Sequence, residues 1–375
     1  MPAATMCDVL VIGAGIHGAA VAYAAALQGY SVRVIEQFSH AAEGTSSRSS
    51  KLIHGGLRYL ESGQFRLVRQ CLQEQRTLLK ERPSLVTLTP FYIPVYASTT
   101  RPPWKIAAGL WLYQLLGGHR FTRLPESDWD TLDGLNTGGL RAVFRYFDAQ
   151  TDDRELTRAI LHDAGTLGAK VSFNTIFEQA ICEPAACQIT CCGPAGKETL
   201  TARAVVNASG PWVNRVLEHI TPRQTPVDIE LVQGTHIIVP GSLKQGIYYL
   251  EAPQDQRAIF IMPWQDRIMI GTTETHYQGD PADVHPLEEE QTYLLDVYNH
   301  YFNSKLDTSD VIEAFAGLRV LPASHTKVFN RSRDTMLHYD ENTPRLLSIY
   351  GGKLTSHAHT AAEIMKHLTK LLRTG

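Results

Sequence analysis

The sequence predicts a two-domain α/β protein in which an α/β beginning and end enclose a β-rich middle. The chain has 375 residues, and at roughly 150 residues per domain this length corresponds to about two domains. Residues 7–36 have the order strand, glycine-rich turn, helix, strand, and residues 346–372 have the pattern of a strand followed by a long helix. Residues 231–272 are instead rich in β-branched residues and turns. Together these patterns predict a mixed architecture of helices and strands.

Composition narrows the class of protein. Hydrophobic residues make up 43% and charged residues 19% of the chain, which excludes a disordered or fibrous protein. The formal net charge is −3, so no global basic surface points to nucleic acid. No group of histidine, cysteine and aspartate has metal-ligand spacing. We therefore expect a globular protein that binds neither nucleic acid nor a metal ion.

Cysteine spacing and one uncharged stretch bear on the cellular compartment. The six cysteines are scattered and none has C-x-x-C spacing, which predicts a reduced, intracellular protein with unpaired, buried cysteines. The stretch 9–32 carries no formal charge, but glycines interrupt it and no basic region precedes it. We interpret it as a strand, a turn and a helix rather than as a targeting segment.

The first βαβ unit is the most specific local pattern. A β-branched strand at 7–12 precedes the glycine-rich turn 13–18, the alanine-rich helix 19–27 and a second strand at 31–35, which ends in Glu36. This is the order of a Rossmann-like dinucleotide-binding unit with a parallel sheet.

Each glycine of the turn has a predicted role. Gly13 permits the tight turn, Gly15 lets a pyrophosphate approach the backbone, and Gly18 lets the helix pack closely on the strand. The helix N-terminus offers unpaired N–H groups to the anion. Glu36 is expected to accept hydrogen bonds from the hydroxyls of the adenosine ribose.

The remaining elements follow from periodicity and turn residues. Further helices are predicted at 65–80, 154–166 and 286–301, with a last helix ending at 372. Further strands are predicted at 170–173, 187–192, 198–202, 204–210, 231–240, 258–263, 268–272 and 346–350.

The stretch 104–116 allows two interpretations. Its apolar part is too short to span a bilayer. Trp104 and Trp111 with flanking arginines and a lysine suit a helix lying in a membrane interface. An ordinary packed helix fits the same residues equally well, and the sequence does not decide between the two.

Several runs together resemble one known family. They lie in the same order across about 8–368, and the run 44–60 is the most specific of them. The runs are 13–18, 44–60, 144–148 with 152–153, 206–212, 233–236, 263–264, 270–274, 332–334 and 351–355. On these residues the chain resembles the FAD-dependent glycerol-3-phosphate dehydrogenases, within the wider group of flavoproteins similar to D-amino-acid oxidase.

Three positions depart from the family pattern. His17 stands where the family usually has Asn or Thr, and Ser356-His357 replaces a usual Thr-Tyr pair. The best-known members also continue into a C-terminal helical domain, whereas this sequence ends at Gly375. On the sequence alone, we expect that domain to be absent.

The resemblance implies the domain organisation. A Rossmann-like FAD-binding domain would be assembled from 1–83, 151–215 and 317–375. A mostly antiparallel sheet formed by 84–150 and 216–316 would cover the substrate.

The resemblance also implies a non-covalently bound FAD. The run 44–60 would wrap the pyrophosphate and ribityl chain, Ile176 and the 208–212 turn would contact the adenine half, and the 351–355 run would reach the isoalloxazine. The implied cofactor-binding residues are Gly13, Gly15, Ile16, His17, Gly18, Glu36, Thr45, Ser46, Ser47, Ser50, Lys51, Leu52, Gly55, Gly56, Ile176, Ala208, Gly210, Trp212, Gly317, Arg319, Gly352, Lys353, Leu354 and Thr355.

The implied reaction is oxidation of sn-glycerol 3-phosphate to dihydroxyacetone phosphate by hydride transfer to flavin N5, with quinone as the electron acceptor. Arginine forks suit a phosphate dianion. His236 and Lys353 both remain candidates for the base, and Arg58 and Arg319 complete the implied catalytic set. The implied substrate-binding residues are Arg58, Tyr59, His236, Arg319, Arg333 and Lys353.

Two other functions remain open at this stage. One is a flavin oxidase that uses O₂ on another small anionic 2-hydroxy acid or amino acid. The other is a non-catalytic flavoprotein that acts as a sensor, which the retained arginines and Lys353 argue against. The expected location is cytoplasmic, with peripheral attachment to the cytoplasmic face of the inner membrane and a homodimer as open alternatives.

Overall fold

The structure is a computed structural model that describes residues 5–323, 335–340 and 343–373. It contains two sheets with helices packed on both, as the sequence predicts. The helices are α1 Ile16–Leu27, α2 Phe65–Glu81, α3 Pro103–Leu115, α4 Asp153–Thr166, α5 Val213–Glu218, α6 Glu288–Tyr301 and α7 His357–Arg373. The strands are β1 Thr5–Ile12, β2 Val32–Ile35, β3 Leu52–Ile53, β4 Val86–Tyr96, β5 Thr122–Arg123, β6 Leu140–Thr151, β7 Lys170–Ser172, β8 Ile176–Cys182, β9 Cys187–Gly193, β10 Gly196–Asn207, β11 Ile220–Thr221, β12 Ile229–Val239, β13 Ile247–Glu251, β14 Ala258–Trp264, β15 Arg267–Gly271, β16 Thr275–Tyr277, β17 Glu313–Pro322, β18 Met336–Asp340 and β19 Thr343–Tyr350.

The first sheet has a parallel centre. Its strand order is β11-β8-β9-β10-β1-β2-β7, with β19 beside β10 and β18 beside β19. Strand β1 pairs in parallel with β2 and β10, and β10 pairs in parallel with β19. These strands are apolar along their length because helices α1, α4 and α7 cover one face and a second apolar cluster covers the other. The carboxyl ends of β1, β2 and β10 therefore meet at one edge, beside the N-terminus of α1.

The second sheet is antiparallel apart from one pair. Its order is β16-β12-β15-β14-β13-β4-β6-β3, with β17 beside β12 and β5 beside β6. Among the described strands of this second sheet, only the β13–β4 pair runs parallel. Helix α6 packs on β12 and β15, while α2 packs on β4 and α3 on β6. The predicted fold class is confirmed.

The sheets divide the chain differently from the predicted domain boundaries at three points. Strand β11 pairs with β8 in the first sheet, although 216–316 was assigned to the second domain. Strand β17 belongs to the second sheet, so a boundary at residue 317 falls within a strand. Strand β3, which was placed in the first domain, also pairs into the second sheet through β6. The domain division itself stays a prediction.

One prediction about the cysteines is wrong. Cys182 and Cys187 lie opposite each other in the β8–β9 hairpin and form a disulfide. The hairpin register brings them together, which their spacing in the sequence does not reveal. Cys7 and Cys191 are buried and not disulfide-bonded, as expected. In the described part of the chain, no helix has the length and apolarity needed to cross a bilayer.

Candidate functional site

A cavity of about 470 Å³ lies between the two sheets and extends along the N-terminus of α1. Its walls come from segments far apart in the sequence, including the first glycine turn, the 44–54 loop, β12, β17 and the 351–355 turn. The predicted site residues that line it are Gly13, Gly15, Ile16, His17, Glu36, Thr45, Ser46, Ser50, Leu52, Tyr59, Ile176, Ala208, Gly210, Trp212, His236, Gly317, Arg319, Gly352, Lys353, Leu354 and Thr355. The structure therefore brings most of them to one place.

Six predicted site residues do not line the cavity, and one lies outside the described residues. Arg333 is the residue outside them. The six that do not line the cavity are Gly18, Ser47, Lys51, Gly55, Gly56 and Arg58.

The turn before α1 is shaped by glycines that nothing larger can replace. Gly13 has a φ of 103°, and a Cβ there would lie 2.7 Å from the carbonyl oxygen of Ala208. A Cβ on Gly18 would lie 1.9 Å from the carbonyl oxygen of Gly13. The helix can thus begin directly against β1, and its N-cap is Gly15, which has no side chain to accept the amide hydrogens of the first turn. One of these amides, that of Ile16, donates to Ser46 Oγ at 2.9 Å.

Glu36 closes the same end of the cavity. Its Oε2 accepts a hydrogen bond from the amide of Ala14 at 2.6 Å, and its Oε1 accepts one from the amide of Phe38 at 3.0 Å. The side chain is buried, and this burial raises its pKa although the amide hydrogen bonds oppose the shift. The carboxylate therefore ties the ends of β1 and β2 together while it lines the cavity.

Lys51 forms a buried ion pair with Asp153 and does not line the cavity. Its Nζ donates to Asp153 Oδ1 at 2.5 Å and to the carbonyl oxygen of Ser47 at 2.6 Å. The ammonium also lies 5.2 Å from the centre of the Phe315 ring. It faces the protein interior, where Asp153 neutralises it, so it supports the 47–51 loop from behind.

His236 lies on β12 at the opposite end of the cavity. Its Nε2 is 2.9 Å from Ser50 Oγ, and its ring stacks on Phe315 with centroids 5.0 Å apart. Among the described residues, its buried Nδ1 has no hydrogen-bond partner. Burial holds its pKa well below the ordinary value, and the charges of Arg319 and Lys51 lower it further. The imidazole is neutral at physiological pH.

Arg319 lies on β17, beside β12. Its Nη1 is 3.1 Å from Glu274 Oε1, and its Nη2 donates to Thr272 Oγ1 at 3.2 Å. A Cβ on Gly234 would lie 2.6 Å from Nη2, so this glycine makes room for the guanidinium. Glu274 also pairs with Arg257 at 3.4 Å. Neither Thr272 nor Glu274 was predicted as a site residue, although both lie in the run 270–274.

Lys353 and Arg58 meet at the ring of Tyr59. The Nζ of Lys353 lies 3.8 Å from the ring centroid, and Arg58 Cζ lies 5.0 Å from it. Burial lowers the pKa of Arg58, but the nearby Tyr59 and Glu274 outweigh this and leave it above the ordinary value. Two cations thus converge on one buried, cavity-lining tyrosine.

Comparison with known proteins identifies the family. A family model described as FAD dependent oxidoreductase matches residues 8–358. This chain belongs to that family. The resemblance found in the sequence motifs is confirmed, and the protein is an FAD-dependent oxidoreductase.

Three curated relatives are between 36% and 39% identical to this oxidoreductase over the aligned residues. The chain is 39% identical over 374 residues to a glycerol-3-phosphate dehydrogenase of Pseudomonas aeruginosa, covering 98% of this chain and 72% of that one. It is 36% identical over 375 residues to the aerobic glycerol-3-phosphate dehydrogenase of Escherichia coli, covering 96% and 73%. It is 37% identical over 382 residues to a D-erythritol 1-phosphate dehydrogenase of Brucella abortus, covering 96% and 73%.

Solved structures show the same fold. A glycerol-3-phosphate dehydrogenase from Bacillus halodurans, complexed with FAD, matches with a TM-score of 0.80 and 26% identity, covering 98% of this chain and 65% of that one. An L-alpha-glycerophosphate oxidase from Mycoplasma pneumoniae matches with a TM-score of 0.76 at 15% identity, covering 98% and 95%, which supports the fold alone.

The cavity of this oxidoreductase fits FAD, the cofactor of its family. The glycine N-cap of α1 opens the first turn toward the cavity, as an anionic pyrophosphate requires. The buried Nδ1 of His17, which lines the cavity, has no partner among the described residues. Glu36 stands at the end of β2, where a ribose binds in dinucleotide folds. The assignment of individual residues to parts of FAD stays a prediction.

His17 also touches the opposite wall. A Cβ on Gly352 would lie 2.2 Å from His17 Nε2, so the 351–355 turn approaches α1 closely there. Burial and the neighbouring His357 lower the pKa of His17 to about 4, and burial lowers that of His357 to about 4. His357 Nδ1 donates to the carbonyl oxygen of Leu354 at 2.7 Å. Both imidazoles are therefore neutral at physiological pH.

Proposed function

We propose that this flavoenzyme oxidises sn-glycerol 3-phosphate to dihydroxyacetone phosphate and passes the electrons to a membrane quinone. The observation that carries the proposal is the convergence of Arg319, Lys353 and Arg58 at the end of the cavity under the second sheet. Like charges this close repel by about a kcal/mol or more per pair at an effective dielectric near 20. A dianionic phosphate relieves that repulsion better than a single carboxylate does.

Glu274 is shared by two arginines at this end of the cavity. It is the carboxylate that pairs with Arg319, at 3.1 Å, and it also pairs with Arg257. One carboxylate does not neutralise two guanidiniums, and a planar guanidinium suits the oxygens of an anionic substrate. The names of the relatives support a phosphorylated polyol as that anion.

The chain's own groups then account for binding and for the proton. Bound FAD supplies the two-electron acceptor. Arg319 and Lys353, which line the cavity, hold the phosphate end and so fix the substrate carbinol relative to the cavity wall. Arg58 does not line the cavity and adds its positive charge at the Tyr59 ring. Neutral His236 has a lone pair that can take the hydroxyl proton, but Arg319 and Lys51 oppose its becoming charged. Lys353 therefore remains a second candidate for the base, but only as the neutral amine, in which case Arg319 and Arg58 supply the positive charge for the phosphate.

The test is anaerobic mixing of the FAD-loaded protein with sn-glycerol 3-phosphate while the flavin absorbance near 450 nm is followed. We expect bleaching with glycerol 3-phosphate and almost none with glycerol, which lacks the phosphate. D-Erythritol 1-phosphate is the competing substrate to include, because a dehydrogenase named for it is 37% identical to this chain. Faster reduction by glycolate, lactate or an amino acid than by either phosphate would overturn the proposal.

The quinone acceptor implies a membrane contact, for which we propose the outer face of α3. Trp104, Trp111 and Leu115 are 73%, 60% and 62% exposed, and their spacing puts them on one side of the helix. The flanking cations offer less positive charge to a membrane than the sequence suggests, because Arg101 and Lys105 both pair with Glu61. The contact is therefore expected to be mainly apolar.

Liposome flotation tests this surface. We expect the wild-type protein to float with vesicles that contain anionic lipid and the triple variant Trp104→Ser, Trp111→Ser, Leu115→Ser to stay behind. The matched control is Leu27→Ser with Ile312→Ser, two hydrophobic residues that are 61% and 48% exposed elsewhere on the surface. Equal flotation of the triple variant and the control would show that α3 is an ordinary packed helix.

A further inference from the structure

A buried carboxylate lies behind the substrate end of the cavity, and the proposed reaction leaves it without a role. Asp148 is on β6, at the end of the run 144–148, and is 1% exposed. It accepts a hydrogen bond from Gln75 Nε2 at 2.7 Å. The hydroxyl of Tyr113 donates to it, at 2.7 Å from Oδ1 and 2.9 Å from Oδ2. A carboxylate that is buried this deeply is rare unless other polar groups pair with it.

Both partners of Asp148 also bind backbone groups of the same loop. The Tyr113 oxygen accepts a hydrogen bond from the amide of Gly55 at 2.8 Å. Gln75 Nε2 donates its other hydrogen to the carbonyl oxygen of Ile53 at 2.9 Å. Both hydrogens of Gln75 Nε2, the hydroxyl hydrogen of Tyr113 and the amide hydrogen of Gly55 all have acceptors in this network. Through two side chains, Asp148 thus fixes the backbone on both sides of His54.

The Gly-Gly pair of the loop fits this arrangement. A Cβ on Gly55 would lie 2.4 Å from the Tyr113 hydroxyl and 2.7 Å from Leu72 Cγ, so only glycine lets the hydroxyl reach the amide. Gly56 has a φ of 79°, and a Cβ there would lie 2.3 Å from the Tyr59 ring. The loop therefore bends sharply after its anchored amide and presents Tyr59 to the cavity.

A second buried carboxylate anchors the other end of the loop. Asp153 Oδ2 accepts hydrogen bonds from the amide and hydroxyl of Ser49, and its Oδ1 accepts one from Lys51. Between the two anchors lie three residues that line the cavity, Ser50, Leu52 and His54. The loop is thus fixed at both ends from behind.

We propose that Asp148, acting through Tyr113 and Gln75, is a positioning residue for the substrate end of the cavity. By fixing the 53–55 backbone it holds the Tyr59 ring, on which Arg58 and Lys353 converge. It touches neither the substrate nor the cofactor in this role. The inference rests on the proposed oxidation of a polyol phosphate, since the cations at Tyr59 are assigned to its phosphate.

The Asp148 side chain depends on its partners in turn. Burial raises its pKa to about 7, and the hydrogen bonds from Tyr113 and Gln75 oppose that rise. Loss of either donor therefore makes the carboxylate harder to keep ionised. The three side chains act as one unit, and removal of any one of them loosens the loop.

The experiment compares two Tyr→Phe variants in the FAD-loaded protein. Tyr113→Phe removes the hydroxyl that links Asp148 to Gly55. Tyr248→Phe is the matched control, because Tyr248 is also fully buried in the second sheet and donates to a carboxylate, Asp133, at 2.8 Å. Each variant is assayed for FAD content, for kcat and for the KM of sn-glycerol 3-phosphate.

We expect Tyr113→Phe to raise KM about tenfold, the effect of losing one hydrogen bond at this anchor, with kcat changed much less and FAD content unchanged. Tyr248→Phe is expected to keep the wild-type KM. If Tyr113→Phe does not fold, Gln75→Met replaces it, because it removes the link to Ile53 and keeps Tyr113. An active wild-type protein whose KM is the same in the loop variant and in Tyr248→Phe would overturn the inference.

A failure of the proposed function gives a different result. The wild-type flavin would then not be reduced by the polyol phosphates at all. In that case inorganic phosphate is titrated against the flavin absorbance of the oxidised protein. Weaker phosphate binding in Tyr113→Phe than in Tyr248→Phe supports the positioning role, and equal binding overturns it.

Discussion

The two ends of the cavity are built on different principles. The end at the first sheet is shaped by backbone, since the 13–18 turn and Glu36 all lie within one βαβ unit. The end at the second sheet is shaped by side chains from distant segments. Tyr59, His236, Arg319 and Lys353 meet there only because β12, β17 and the 351–355 turn converge.

The difference determines what a substitution does at each end. At the first end space is the limiting quantity, and one added carbon displaces a helix. At the second end charge is the limiting quantity, since two arginines share the carboxylate of Glu274 and two further cations share the ring of Tyr59. Substitutions are therefore expected to abolish cofactor binding at the first end and to change substrate binding or rate at the second.

The largest effect is expected from Gly18→Ala. Its Cβ would lie 1.9 Å from the carbonyl oxygen of Gly13, so α1 must move away from the turn that cradles the cofactor. We expect loss of bound FAD, measured as the ratio of absorbance at 450 nm to that at 280 nm. Gly165→Ala is the control, because a Cβ there meets nothing within 4 Å and the residue lies within α4. FAD retention by both variants would contradict the space argument.

Next in size is Lys353→Met, which removes a cation from the Tyr59 ring and one of the two candidate bases. If Lys353 takes the hydroxyl proton, flavin reduction at saturating substrate slows by about 100-fold or more. Stopped-flow absorbance measures this rate directly. Lys366→Met, on the exposed side of α7, is the control. An unchanged limiting rate would leave His236 as the base.

Arg319→Ala tests the charge argument at the same end. Loss of one charge-assisted contact costs about 1.5–3 kcal/mol, which raises the KM for glycerol 3-phosphate about tenfold to a hundredfold. The flavin spectrum is expected to stay unchanged. Arg257→Ala is a close control, since both arginines pair with Glu274 but only Arg319 lines the cavity. Similar KM values in the two variants would mean that Arg319 serves only to neutralise Glu274.

The same contrast explains how far the sequence could be interpreted. The ends of β1, α1 and β2 were predicted to the residue and their starts to within three residues, because strand, turn and helix signals are local there. Strands β4 and β6 were not predicted, since Pro90 and Pro94 interrupt the alternation within β4. Their pairing, Val86 opposite Thr151, spans a wide gap in the sequence.

The side-chain networks were beyond the reach of sequence patterns for a related reason. Asp148 lies in the run 144–148 that carries the family resemblance, yet its partners Gln75 and Tyr113 are on two other elements, α2 and α3. The pairing of Glu274 with Arg319 depends on β17 lying beside β12. No spacing rule links such positions, because only the tertiary fold makes them neighbours.

The smallest expected effect concerns the pH dependence of stability and a buried histidine near the first end of the cavity. His357 lies near the first end, and burial lowers its pKa to about 4 in the folded protein. The unfolded chain has a histidine pKa near 6.5, so between about pH 6.5 and 4 the unfolded state binds one more proton at this site. The contribution of His357 to stability is therefore complete above pH 6.5 and falls by about 1.4 kcal/mol per pH unit as the pH decreases through this window.

We expect His357→Gln to flatten the dependence of the unfolding free energy on pH by one proton, measured by urea denaturation at pH 7, 6 and 5. His359→Gln, at a partly exposed position on the same helix, is the control. A His357→Gln slope equal to that of His359→Gln would mean that His357 takes up its proton in the folded protein as readily as in the unfolded chain.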